Sequence, residues 1–210
     1  MTEKMTGRRG RPVNQDLHAK IVDVACALFS EFGFQATTMD KVAREAKISK
    51  LSIYRHFNSK EALFSAAITT RCQDLAPGYL FEGVKGTAEE QLQAVGNSLL
   101  RLLLSEDVKS MEAMIMSDTT NQLALSRLYY EAGPQRFVGQ IEDLLRNLHD
   151  KQALSVPDPK QSARLFAALF KGADLHYIAR FDPETAQRDD VISSYCQAAV
   201  GVFLAAHRSA

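Results

Sequence analysis

The stretch that decides the fold is Thr37-Thr38-Met39-Asp40-Lys41-Val42-Ala43-Arg44-Glu45-Ala46-Lys47-Ile48-Ser49-Lys50-Leu51-Ser52-Ile53-Tyr54-Arg55-His56-Phe57. Thr37 and Thr38 are N-cap candidates for a short helix carrying Met39, Val42, Ala43 and Ala46. Ser49 caps a second short helix ending near Phe57, with only Lys47 and Ile48 between the two. Before them Leu17, Ile21, Val24, Leu28 and Phe32 recur at steps of three and four, widened by Ala25 and Phe29. That pattern predicts a helix over about 15–32, with Gly33 behind it as a residue able to take positive φ. After them Asn58 and Ser59 open a longer helix through Leu63 and Ala66, stopped by Pro77 and Gly78. Two short capped helices between two longer ones form the layout of a helix-turn-helix.

The third helix carries the chemistry. Turning Ile53 and Phe57 to the core points Leu51, Ser52 and Arg55 outward, with Lys50, Tyr54 and His56 on the flanks. Arg55 can donate to guanine O6 and N7, Ser52 to either kind of base edge, and Leu51 can meet a thymine methyl. Tyr54, His56 and Lys60 reach more naturally toward phosphates, and Thr38 can combine an N-cap with a phosphate contact. The competing account is a plain cap for Thr38 and edge-of-core packing for Tyr54 and His56.

The remaining chain reads as more helix. The prolines at 12, 77, 134, 157, 159 and 183 fall between helical patterns, and no stretch alternates as strands do. Thr87-x-x-Glu90 is a capping-box pattern heading a helix with Leu92, Val95, Leu99, Leu102 and Leu103. Shorter patterns cover Met111–Ser117 and Asn121–Ala132, and Gly133-Pro134 breaks the chain. Stripes follow at Phe137, Ile141, Leu144, Leu145 and Leu148; at Phe166, Ala167, Phe170 and Ala173; and at Ile192, Tyr195, Ala199, Val202 and Phe203. The fold class is therefore all-α. An N-terminal three-helix helix-turn-helix domain is followed by a larger α-helical bundle. The boundaries are a basic flexible arm at 1–13, the DNA-binding domain at 14–60 with a connecting helix from about 60 to 76, and the C-terminal domain at 77–210.

Charge sharpens this division. The chain of 210 residues has 25 Lys+Arg and 25 Asp+Glu. Residues 1–60 hold 11 basic and 6 acidic side chains, a balance of +5, so the rest carries −5. A basic head on an acidic body is the asymmetry expected when only the head meets a polyanion, with chance fluctuation as the alternative. An apolar fraction of 46% supports packed cores and argues against disorder. No apolar run reaches the roughly 18–20 residues of a membrane span, and the polar start lacks a secretory apolar stretch, so a cytoplasmic protein without membrane partners is expected. Cys26, Cys72 and Cys196 are far apart, framing neither a disulfide scaffold nor a metal site, and buried inert thiols are favoured over redox sensors. The five histidines are dispersed and no HExxH, GxSxG or glycine-rich phosphate loop is present, so neither an enzyme nor a cofactor is expected.

Ile21-Val22-Asp23-Val24-Ala25 through Phe29, Gly33-Phe34-Gln35-Ala36-Thr37-Thr38, Val42-Ala43-Arg44-Glu45-Ala46, Ile48-Ser49-Lys50, Ile53-Tyr54-Arg55-His56-Phe57 and Ser59-Lys60-Glu61-Ala62-Leu63-Phe64 closely resemble the DNA-binding domain of the TetR/AcrR family of transcriptional regulators. The resemblance implies a dimeric repressor of double-stranded operator DNA whose C-terminal domain binds a small-molecule effector. It also implies that the positions of Thr38, Lys50, Ser52, Tyr54, His56 and Lys60 contact DNA, mostly its phosphates. Two departures stand out. Lys47 occupies a turn position where the family usually has glycine, which calls for either a strained lysine or a different turn. Leu51 occupies a position where a small residue is usual. Tyr129-Tyr130-Glu131-Ala132-Gly133-Pro134, with Ala153-Leu154 and Asp158-Pro159, resembles the C-terminal domain of the AefR-like branch.

Three further expectations follow from residue chemistry. Arg9-Gly10-Arg11-Pro12 resembles an AT-hook, in which Gly10 lets both Arg9 and Arg11 lie in a narrow minor groove; a nonspecific basic tail is the alternative. Met111, Met114 and Met116 with Tyr130, Phe137, Phe166 and Phe170 are candidates to line an adaptable apolar pocket, against ordinary core packing. Small residues at four-residue spacing (Ala163 and Ala167, Ala168 and Gly172, Gly201 and Ala205) suit a homodimer interface built by helices around 160–179 and 189–206, or close packing within one chain. A ligand-independent architectural DNA-binding protein is the alternative to a ligand-controlled repressor.

Overall fold

A computed structural model describes residues 13–75, 77–78 and 86–208. The described residues form α-helices and no strand. They are α1 (Val13–Ala36), α2 (Met39–Glu45), α3 (Lys50–His56), α4 (Lys60–Leu75), α5 (Ala88–Leu104), α6 (Glu106–Ser117), α7 (Gln122–Ala132), α8 (Pro134–Asp150), α9 (Pro159–Lys171), α10 (Leu175–Phe181), α11 (Pro183–Ala186) and α12 (Asp189–Ala206). The chain divides into two compact units between Ala67 and Ile68, inside α4 rather than at its start.

The helix ends follow the side chains that close them. Thr38 Oγ1 accepts from Lys41 N at 3.1 Å and Ser49 Oγ from Ser52 N at 3.1 Å, satisfying amides that a first turn leaves without partners. Thr87 and Glu90 form the reciprocal capping box, and Asp158 caps α9 directly before Pro159. Gly33 takes φ 78°, ψ 174°, ending the regular helix where expected; one further turn runs to Ala36.

In the first unit α1 supplies Ile21, Val22, Ala25 and Phe29 to a core completed by Val42, Ala46, Ile53, Leu63 and Phe64. The rings of Phe29, Phe34 and Phe64 meet pairwise at 5.2–5.8 Å between centroids. Removing one such ring to Ala costs about 3–5 kcal/mol in typical cores. Thr37 is fully buried, and its hydroxyl lies 2.8 Å from the Gly33 carbonyl and 3.0 Å from that of Leu28, so its polarity is satisfied inside α1.

In the second unit α5, α8, α9 and α12 pack around one core. Phe166 lies against Phe170 at 4.9 Å and edge-on to Phe203 at 5.0 Å. The continuous helix expected over 160–179 is broken: α9 stops at Lys171, Gly172 caps it, and α10 restarts at Leu175. Among the described residues, no helix is long and apolar enough to cross a membrane.

Candidate nucleic-acid interface and ligand cavity

Lys47 resolves the choice left by its position in the turn: it stands at φ 57°, in the left-handed region, with its N–H bonded to Arg44 O at 3.1 Å. The helix-turn-helix therefore keeps the glycine geometry with a lysine in it. Ile48 N closes the turn onto Ala43 O at 3.0 Å, and α3 starts two residues later.

On α3, Ile53 is wholly buried and Phe57 nearly so, while Leu51 is 62% and Tyr54 44% exposed. Arg55 is exposed, and among the described residues its guanidinium has no ion-pair partner. Ser52 Oγ lies 2.8 Å from Ser49 Oγ, so one hydroxyl hydrogen of the pair remains to be donated outward. Thr38 Oγ1 accepts from a backbone amide, which likewise leaves its own hydrogen available to an anion. Lys50 Nζ is 2.9 Å from Asp40 Oδ2, and this hydrogen bond and its charge hold the lysine above its ordinary pKa. His56 is half-buried beside His18, ring centroids 5.9 Å apart, and His18 leans on Phe57 at 4.7 Å. Lys60 is placed differently from a free phosphate contact. Its ammonium donates to Phe34 O at 2.8 Å and lies 4.2 Å from the centre of the Phe34 ring, tying the start of α4 to the end of α1. Arg9 and Arg11 lie outside the described residues.

The second unit holds a cavity of about 350 Å³. Leu99, Leu102, Val108, Phe137 and Val138 give it apolar walls, with Tyr129, Glu112, Arg164 and Lys171 as polar groups. Gly133 and Pro134, where α7 passes into α8, also line it, as does Cys72 of α4. Burial pushes the Cys72 thiol up to about 11. The Tyr129 hydroxyl donates to Glu112 Oε1 at 3.3 Å; burial first, and the nearby carboxylate second, raise its pKa.

Of the seven side chains expected to line a pocket, this cavity has Tyr130 and Phe137. Phe166 and Phe170 belong instead to the α5–α8–α9–α12 core, because the stripe that carries them is the inward face of α9. Met111 and Met114 are buried on α6 and do not line it, and Met116 is exposed beside a neighbouring recess. The residues missed are Glu112, Tyr129, Arg164 and Lys171. The spacing Arg164, Ala167, Ala168, Lys171 was a signal for one helix face, yet its alanines read equally well as a contact between helices. Among the described residues, no group of three or more His, Cys, Asp or Glu could hold a metal.

Comparison with known proteins assigns this architecture. The family model for bacterial regulatory proteins of the tetR family matches residues 21–67, and that for the AefR-like transcriptional repressor C-terminal domain matches residues 90–209. The chain belongs to the TetR family of transcriptional regulators. The HTH-type regulator YdeS of Bacillus subtilis (strain 168) is 37% identical over 73 residues, 35% of this chain and 37% of its own length. IcaR of Staphylococcus aureus (strain Newman), negative regulator of the biofilm operon icaADBC, is 26% identical over 129 residues, 61% of this chain and 63% of its own. The chain thus spans about a third of YdeS and less than two thirds of IcaR. The structure of the flavonoid-responsive regulator FrrA superposes with a TM-score of 0.70 at 26% identity, covering 92% of this chain and 98% of FrrA. In this TetR-family chain, α2 and α3 are the helix-turn-helix and α3 its recognition helix.

Proposed function

We propose that this TetR-family regulator is a homodimeric repressor, held on a palindromic operator by two copies of α3 and released when a small, largely apolar ligand occupies the cavity lined by α5, α8 and α9. The outward face of α3 carries the reading: Leu51, Ser52 and exposed Arg55 form a base-reading edge, with Thr38, Lys50, Tyr54 and His56 around it for phosphates. Lys60 enters as a positioning residue, because its ammonium fixes the α1–α4 junction. Arg9 and Arg11 lie ahead of α1 in sequence and extend the contact to the adjacent minor groove.

The ligand's lever is α4. It begins at Lys60 in the DNA-binding unit and contributes Cys72 to the cavity wall. Thr69 Oγ1 donates to Ala132 O at 3.3 Å, and a Cβ on Gly133 would stand 3.2 Å from Ile68 and 3.3 Å from Cys72, so α4 packs closely on the α7–α8 junction. A ligand that moves this junction shifts the population between DNA-binding and released arrangements. FrrA, responsive to flavonoids, supports a pocket that accepts aromatic compounds.

Dimerisation is assigned to the outer face of α9 and α12, where Leu165 and Val202 are exposed together with Ala198, Gly201 and Ala205. The test is selection of bound genomic fragments by the purified protein, followed by titration of candidate effectors with and without the recovered operator. Operator should weaken the true effector's affinity by the same factor by which effector weakens DNA binding. A compound whose affinity is indifferent to operator is not the effector, and recovery of fragments without a shared palindrome refutes the two-fold reading.

A further inference from the structure

The apolar cavity does not end at its own wall. Leu103, Glu112, Tyr129 and Lys171 also border a second recess of about 830 Å³, reached between α6 and α10, where Lys109, His176 and Arg180 are further lining groups. On α9, Arg164, Ala167, Ala168 and Lys171 follow one another at helical spacing. The two alanines thus make a low floor with a cation at each end. Arg164, Lys171 and Arg180 are exposed and, among the described residues, have no carboxylate partner; Arg180 Cζ lies 5.6 Å from the centre of the Tyr177 ring. Glu112 is the one carboxylate on either described wall, and it already accepts the Tyr129 hydroxyl. Lys109 is bound to Glu106 at 2.6 Å.

We infer that the effector is an amphipathic organic anion, an apolar chain or ring bearing a carboxylate, with its body among Leu99, Leu102 and Phe137 and its carboxylate in the recess between Lys171 and Arg180. This rests on the cavity being the effector site. Apolar walls reward the body, while a carboxylate leaving water needs charged donors, and Lys171 and Arg180 are free to supply them. An ammonium group would meet those cations with only an occupied carboxylate in return. His176 marks the place where the charges converge. Its burial lowers its pKa, the Glu112 carboxylate raises it, and Lys171 and Arg180 lower it further. A bound anion there opposes the lowering by Lys171 and Arg180, so binding strengthens as the pH falls through the lowered histidine range. Lys109, still paired with Glu106, is the remaining charged group that lines the recess from α6.

The test uses the full chain and N-phenyl-1-naphthylamine, a neutral apolar fluorophore, displaced by decanoate, decan-1-ol or decylammonium. Decanoate should displace it at a concentration about tenfold or more below that needed by decan-1-ol, the gain expected of a charge-assisted hydrogen bond, with decylammonium weakest. Lys171→Gln combined with Arg180→Gln, both at exposed positions, should bring decanoate to the decan-1-ol value, with a far smaller change for decan-1-ol than for decanoate. Equal displacement by the two, no displacement by decanoate, or an advantage that survives the double substitution overturns the inference while the cavity stays the effector site. Ala167→Phe and Leu103→Trp, which fill the cavity, should both abolish the probe signal. A signal unchanged in whichever of them is folded by circular dichroism overturns the cavity reading, and the anion inference with it.

Discussion

Arg55 and Lys50 lie five residues apart on the same short helix, in different surroundings. Arg55 has no ion-pair partner among the described residues, whereas Lys50 is held by Asp40, a carboxylate that the proposed phosphate contact would have to replace. Arg55→Ala is therefore expected to cost about 1–3 kcal/mol of discrimination between operator and scrambled duplex, measured by competition binding. Lys50→Ala, and deletion of residues 1–12, should instead weaken both duplexes alike and flatten the salt dependence; a salt slope unchanged in both would remove the phosphate and minor-groove roles. Side-chain identity and helical phase made this face legible in the sequence. The pairing of Lys50 with Asp40 and the capture of Lys60 by the Phe34 carbonyl were not, because a ten-residue or 26-residue separation carries no periodic signal. Lys47 was legible as an exception, but its backbone conformation depended on the hydrogen bonds around it.

At the level of whole helices, the ends were the most readable feature, since Thr38, Ser49 and Thr87 each satisfy an amide by a local bond. What the apolar stripes did not reveal was which partner each stripe meets. Core and cavity walls are built from the same residue types, so Phe166 and Phe137 look alike until α8 and α9 are packed. Gly96 shows how tight that packing is: a Cβ there would stand 2.5 Å from Phe170 Cζ and 2.8 Å from Cys196 Sγ. Gly96→Ala should lower stability by about 1–3 kcal/mol, seen as a fall in the melting temperature, with the helix propensity of alanine offsetting only part of it. An unchanged melting temperature would mean that α5, α9 and α12 have room to separate.

For the molecule as a whole, a net charge of zero conceals +5 in residues 1–60 and −5 in the rest, so a duplex is expected to attract the first segment and repel the second. Val202→Asp would put a carboxylate on the proposed dimer face without touching the head. Sedimentation should then show a monomer and operator affinity should collapse; a dimer that persists places the interface elsewhere. Alkaline stability follows from Cys72 and Cys196, both pushed up to about 11 by burial from an ordinary value of 9.0. The folded state favours the neutral thiols, so their contribution is complete below pH 9 and lost as the pH rises toward 11, on the order of 1 kcal/mol each, readable from denaturation midpoints at pH 8 and 10.5. The boundary between the two units, set inside the unbroken α4, makes the protein a problem in angular phase. One alanine inserted after Ala67 should rotate the reading head by about 100° about the helix axis, and seven should bring it back to within about 20°. If rigid transmission through α4 governs the operator grip, binding should vanish with one added residue and partly return with seven, like a key turned and then turned round again.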